Sequence, residues 1–205
     1  MARKLSRPQQ KLLISVIIIF VVVLVSYTGI SSKLGLSGLF SDQQTTVSSG
    51  SSTTSSDPAT GSIVTGQVIS VVDGDTMHIQ INSRNVKVRL VGVNAPEDTN
   101  QHEPYGPEAT AYARQILPVG KRIWVEVAKE SHDRYGRLLA YLWLEEPPDG
   151  SATLDPNVLA RKMVSARILE QGWGKVLIIK PNIKYRSQYE ALQRQAKRDA
   201  CGIWQ

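Results

Sequence analysis

Asp73-Gly74-Asp75-Thr76 and, further on, Arg89-Leu90-Val91-Gly92-Val93-Asn94-Ala95-Pro96-Glu97 decide how this chain is read. Between the two stretches Met77, Ile79 and Ile81 alternate with polar residues, and Val86, Val88 and Leu90 alternate again. A period of two is the pattern of strands with one buried face. Asp73-Gly74 is a strong turn dipeptide, and Asn82-Ser83-Arg84-Asn85 closes the next turn. Two acids, an amide and a guanidinium are thus delivered to strand ends, where a small barrel or sheet brings such groups together. Taken singly, Asp75 reads equally as a turn residue, Arg89 as a surface charge and Glu97 as a helix-start acid.

Outward from this stretch the chain continues in short elements. Upstream, Ile63 to Val72 is β-branched and partly alternating, and makes a meander with the two runs above. Residues 94–105 are polar, contain Pro96 and Pro104, and form a loop. Gly106-Pro107 opens a helix, because proline suits a first helical turn, and Pro118 with Gly120 stops it. Ile123–Val127 is a fourth strand and Leu138–Leu144 a fifth. Two helices follow near 157–171 and 185–200, separated by the apolar Val176–Ile179. Five short strands, a helix after the third and trailing helices make an α+β fold: a five-stranded Greek-key β-barrel of the OB type with about three helices.

The other end of the chain has a different composition. Arg3, Lys4, Arg7 and Lys11 precede an uncharged apolar run from Leu12 to Ile30. As a helix that run is roughly 28 Å long, close to the hydrocarbon thickness of a bilayer. The basic residues before it favour a cytoplasmic N-terminus. No A-x-A-like cleavage site is evident, so an uncleaved transmembrane anchor is favoured over a cleaved signal peptide. Residues 41–62 are rich in Ser, Thr and Gly and read as a flexible tether. The expected organisation is a basic tip with an anchor or signal over 1–33, a linker over 34–62 and a folded domain over 63–205. The domain then sits outside the cytoplasmic membrane, held by residues 12–30, or is secreted if the segment is cleaved.

Charge and cysteine content narrow the chemistry. The net charge is +6, but residues 62–205 carry only +3 of it, so charge alone is weak evidence for a nucleic-acid partner. The single cysteine, Cys201, excludes an internal disulfide and a multi-thiolate zinc site. The remaining candidates suit phosphodiester cleavage, which needs a positioned water, a base and cations around the phosphorus. Asp75 and Asn94 are hard oxygen ligands that suit Ca2+ or Mg2+. Arg89 and Arg137, the latter in Asp133-Arg134-Tyr135-Gly136-Arg137-Leu138, can grip phosphate oxygens in bidentate fashion. Glu97 can orient or deprotonate water. His78, on an alternating strand, and His102, in the loop, are alternative bases that read more simply as background.

In this order, Asp-Gly-Asp-Thr at 73–76, Arg-Leu-(three residues)-Asn-Ala-Pro-Glu at 89–97, Tyr-Gly-(two)-Ala at 105–109 and Asp-Arg-Tyr-Gly-Arg-Leu-Leu-Ala-Tyr at 133–141 resemble the staphylococcal nuclease (thermonuclease) family. So do Glu-Gln-Gly-Trp-Gly-Lys-Val at 170–176, Lys-Pro-Asn at 180–182 and Gly-Ile-Trp at 202–204. The resemblance covers about residues 63–205. It implies an OB-fold barrel with three helices and a Ca2+-dependent endonuclease cleaving DNA and RNA at the 5′ P–O bond to leave 3′-phosphates. It implies that Arg89 and Arg137 stabilise the transition state and that Glu97 is the general base. Asp75 then matches a metal ligand with Asp73 close by, and Arg134 and Tyr135 match positions that touch a terminal phosphate. No obligate protein partner is evident, and a monomeric domain is expected.

The chain departs from the family in places. Asn94 stands where the type member has a second aspartate ligand, which removes one negative charge and leaves room for Mg2+ or Mn2+. Ala95, expected to offer its backbone carbonyl to the metal, replaces a threonine. Leu177-Ile178-Ile179 stands where tyrosines flank the bound nucleotide, and residues 145–162 are longer than in the type member. The alternative reading is a catalytically weak or inactive OB module that binds nucleic acid or protein.

Overall fold

The structure, a computed structural model, describes residues 57–99 and 102–205. The expected anchor over 12–30 and the expected linker as far as residue 56 lie outside the described residues. The described part falls within one compact unit, Thr54–Gln205.

Among the described residues seven strands form, β1 (Ile63–Val71), β2 (Thr76–Ile81), β3 (Arg84–Leu90), β4 (Gly92–Asn94), β5 (Arg122–His132), β6 (Leu138–Trp143) and β7 (Lys175–Leu177). Five of them close a barrel in the order β1-β2-β3-β6-β5, with β5 returning to β1. All contacts around it are antiparallel except β3 with β6, which is parallel. The alternation in β2 does what its pattern predicts: Met77, Ile79 and Ile81 are buried, while Gln80 is exposed. Each such side chain contributes about 1.5–3 kcal/mol by leaving water. Val88 and Leu90 of β3, Val125 and Val127 of β5, and Leu138, Ala140 and Leu142 of β6 fill the rest of the interior.

The third apolar run does not continue to Val93 as one strand. It breaks after Leu90, and β4 leaves the barrel to pair antiparallel with β7. The break is at Gly92, whose φ of 85° is in the left-handed region. A Cβ there would meet the Tyr189 ring at 2.1 Å, so the chain turns where no side chain fits. The apolar segment expected between the last helices supplies β7.

Four α-helices form among the described residues: α1 (Gly106–Ile116), α2 (Pro156–Lys162), α3 (Val164–Glu170) and α4 (Arg186–Arg198). The helix expected over 157–171 is two helices, because Met163 takes extended backbone (φ −120°, ψ 134°) and bridges Trp143 at the end of β6. Asp155 caps α2 through the Asn157 and Val158 N–H groups. Glu126 of β5, only 5% exposed, ties the barrel to the C-terminal segment. It accepts hydrogen bonds from Trp143 Nε1 (2.9 Å), the Tyr185 hydroxyl (2.9 Å) and Lys184 Nζ (2.7 Å). Cys201 is half-buried and free.

Candidate active site

Strand register builds the site. Thr76 faces Arg89 across the β2–β3 pairing, and Arg89 faces Leu139 across β3–β6. Asp75 therefore precedes β2, Arg89 lies at the end of β3 and Arg137 precedes β6, side by side at one rim of the barrel. Asn94, Ala95 and Glu97 enter from the chain just after β4. These side chains, with Thr76 and Glu103, line one cavity of about 320 Å3. Of the residues singled out in the sequence, Asp75, Arg89, Asn94, Ala95, Glu97 and Arg137 are brought together. Arg134 and Tyr135 instead line an adjoining cavity of about 490 Å3, which shares Arg89 and Arg137 and is walled by Leu177 and Ile179. His78 is spent on a hydrogen bond between its Nδ1 and Asn85 Oδ1 (2.9 Å), and His102 lines neither cavity.

Asp75 is the most buried charged group here, at 5% exposure. Its Oδ2 accepts the Ala95 N–H at 2.7 Å and pairs with Arg89 Nη2 at 2.9 Å, while Thr76 Oγ1 donates to its Oδ1 at 3.1 Å. The Asp73 carboxylate supports it from behind by accepting the Asp75 N–H at 3.0 Å. Burial pushes the Asp75 carboxyl up to about 7, with the Arg89 guanidinium opposing the rise and the Asp73 charge adding to it.

Arg89 is held in place on several sides. Its Nη1 donates to the Leu90 and Val93 carbonyls, both at 2.8 Å, and its Nη2 donates to Asn94 Oδ1 at 2.9 Å. The same Nη2 thus lies 2.9 Å from an oxygen of Asp75 and 2.9 Å from that of Asn94. The two oxygens converge on a point that carries positive charge. That convergence and the all-oxygen donor set fit a hard cation such as Ca2+. Among the described residues no group of three or more His, Cys, Asp or Glu is placed to hold a metal. A cation here would rely on one carboxylate, Asp75, beside the Asn94 amide oxygen.

Arg137 is fixed by a residue the sequence reading left without a role. Asp133 Oδ1 accepts the Tyr135 and Arg137 N–H groups (2.9 and 3.0 Å), and its Oδ2 accepts Arg137 Nε at 2.7 Å. Burial raises the Asp133 carboxyl, but the donors from Arg137 and Tyr135 outweigh it and hold it below the ordinary carboxylate value. The Arg137 guanidinium is left aimed toward Thr76 Oγ1 (3.5 Å) and lies 5.5 Å from the Tyr135 ring centre. Arg134 also lies over the Tyr135 ring, at 4.8 Å, and donates to its hydroxyl at 2.6 Å. Asp133 was visible only as the first letter of a motif. Its distance of four residues from Arg137 on a turn was the available signal.

Glu97 lies on the loop between β4 and α1. Its carboxylate accepts a hydrogen bond from Thr99 Oγ1, and its carbonyl oxygen accepts the Glu103 N–H at 2.8 Å. The start of α1 presses on the same peptide, since a Cβ on Gly106 would meet the Glu97 oxygen at 2.4 Å. The cavity therefore presents two guanidinium groups, two carboxylates beyond Asp75, and an amide around one opening. Opposed charges of this kind can grip a phosphodiester and leave a carboxylate free to take a proton.

Comparison with known proteins agrees with this geometry. The family described as "Staphylococcal nuclease homologue" matches residues 87–205. The chain is 30% identical over 143 residues to "Thermonuclease" of Staphylococcus hyicus, covering 68% of this chain and 75% of that protein. It is also 30% identical over 138 residues to "Thermonuclease" of Staphylococcus intermedius (66% and 73%). "Endonuclease YncB" of Bacillus subtilis (strain 168) is 31% identical over 138 residues (65% and 58%). With the barrel and its rim cavity, these matches establish that the chain belongs to the staphylococcal nuclease family.

Proposed function

We propose that this protein is a metal-dependent nuclease that hydrolyses DNA and RNA with little sequence specificity. The observation that carries the reading is the single rim cavity holding Asp75, Arg89, Asn94, Glu97 and Arg137. A binding module needs no carboxylate beside two phosphate-gripping arginines, so the grouping favours catalysis over binding alone.

Arg89 and Arg137 bind non-bridging oxygens of the scissile phosphate and stabilise the charge that builds on them. Glu97 takes the proton of the attacking water. The new bond joins that water oxygen to phosphorus, the bond to the 5′ oxygen breaks, and its electron pair leaves on that oxygen, which takes a proton from solvent. The products carry 3′-phosphates. Asp75, the Asn94 amide oxygen and the Ala95 carbonyl would hold Ca2+, with Asp73 supporting Asp75. Bound there, such an ion would supply Lewis-acid polarisation of the phosphate. Because Asn94 is neutral, the pocket would also suit Mg2+ or Mn2+.

Tyr135 and Arg134 sit beside the arginines in the neighbouring cavity and suit a terminal phosphate of the substrate. The uncharged apolar run at 12–30 supports a domain held outside the cytoplasmic membrane, or secreted if that segment is cleaved. Cell fractionation of the full chain distinguishes a membrane-held enzyme from a shortened one in the medium.

The test is digestion of single-stranded DNA and RNA by the full chain, with Ca2+, Mg2+ or Mn2+ and with EDTA. The reading expects metal-dependent cleavage leaving 3′-phosphate ends. No cleavage with any of the three ions would replace it with the binding-module reading.

A further inference from the structure

The loop that carries Glu97 begins and ends beside prolines. Pro96 has no N–H, so the Glu97 N–H is the first donor after the chain leaves Ala95. Pro104 restricts the residue before it, Glu103, to extended backbone. Across the loop Glu97 and Glu103 bond to each other twice. The Glu97 N–H donates to Glu103 Oε2 at 3.0 Å, and the Glu103 N–H donates to the Glu97 carbonyl at 2.8 Å. The Glu103 carbonyl then accepts the Gly106 N–H at 2.9 Å, which ties the pair to the first residue of α1. Glu103 also lines the catalytic cavity, although it is exposed to solvent.

We propose that Glu103 is a positioning residue: its carboxylate clamps the Glu97 peptide and so aims the Glu97 side chain at the water. The inference rests on the reading of Glu97 as the base. The acceptor is an ionised group on a backbone donor, the stronger kind of hydrogen bond. The loop between Pro96 and Glu103 has little apolar burial to fix it: Pro96 is only half-buried, and the other described residues are half-buried or exposed and polar. The reciprocal bonds therefore fix Glu97 and Glu103 against each other. Because Glu103 is exposed, losing its carboxylate leaves the barrel core untouched, and the effect is confined to the aim of Glu97. A displacement of about 1 Å at a catalytic group costs up to about 100-fold in rate.

The experiment uses the full-length chain with Glu103→Ala and Glu103→Gln. Cleavage of a labelled oligonucleotide is measured for kcat and KM, and hydrogen exchange of the Glu97 amide by NMR. Glu103→Ala should lower kcat about 10- to 100-fold with KM unchanged, and speed Glu97 amide exchange about tenfold. Glu103→Gln keeps an acceptor oxygen and should restore both. Wild-type kcat in Glu103→Ala, or unchanged Glu97 exchange, would overturn the clamp. A Gln variant as impaired as Ala would also overturn it, since the charge and not the bond would then matter. A wild-type chain that cleaves nothing would defeat the nuclease reading, while the exchange measurement would still decide the clamp.

Discussion

Asp75→Asn should make the metal-free protein more stable while removing its activity. Asp75 is 5% exposed, and burial lifts its carboxyl from the ordinary 3.8 to about 7. Between those two values the folded chain binds more protons than the unfolded chain, so stability falls as pH rises through that window. The cost is absent below pH 3.8 and fully present above about pH 7. The difference corresponds to about 4 kcal/mol at pH 8. An amide cannot replace the ion pair to Arg89, but Arg89 keeps Asn94 and the Leu90 and Val93 carbonyls. The expected net gain is therefore about 2–4 kcal/mol at pH 8. In thermal melts with EDTA this appears as a rise in Tm of about 5–15 °C. Repeating the melts at pH 4 should erase most of the gain, since wild-type Asp75 is then protonated when folded. Saturating Ca2+ should stabilise wild type and leave the variant unmoved. A variant less stable than wild type at pH 8, or a gain that does not depend on pH, would refute the reasoning.

Two further changes probe the proposed metal pocket and the support behind the barrel. Asn94→Asp adds a second carboxylate beside Asp75 and should raise Ca2+ affinity about tenfold or more by calorimetry; unchanged affinity would remove residue 94 from the pocket. Glu126→Ala leaves Trp143 Nε1, the Tyr185 hydroxyl and Lys184 Nζ without their shared acceptor. It should cost about 3–5 kcal/mol in urea unfolding, and a loss below about 1 kcal/mol would show those donors find other partners.

What could be read from the residues follows from how local each cause is. The barrel strands were legible because Met77, Ile79, Ile81, Val88 and Leu90 alternate, and alternation is a property of neighbours in sequence. The departure of β4 was not, because Val91 and Val93 keep the apolar character of β3. Only the Tyr189 ring packed on Gly92 shows why the chain must turn there. The break at Met163 was equally hidden, since residues 157–171 keep a helical pattern and the interruption comes from a bridge to Trp143. In the site, Asp75, Arg89, Asn94, Glu97 and Arg137 were named from motif order, and strand register explains why they meet. Nothing in the sequence showed that Arg89 would lie between Asp75 and Asn94. Glu103 was missed because its partner is a backbone N–H across an irregular loop, which leaves no periodic trace.

The rim cavity is proposed to cut phosphodiester bonds through its own arginines and carboxylate. Single-turnover cleavage of one end-labelled oligonucleotide, with saturating Ca2+, tests it most directly when the full-length wild type is run beside Arg137→Ala. The account predicts cleavage by wild type that stops with EDTA, and a rate about 100-fold lower or less in the variant at an unchanged melting temperature. Equal rates in the two proteins would contradict it.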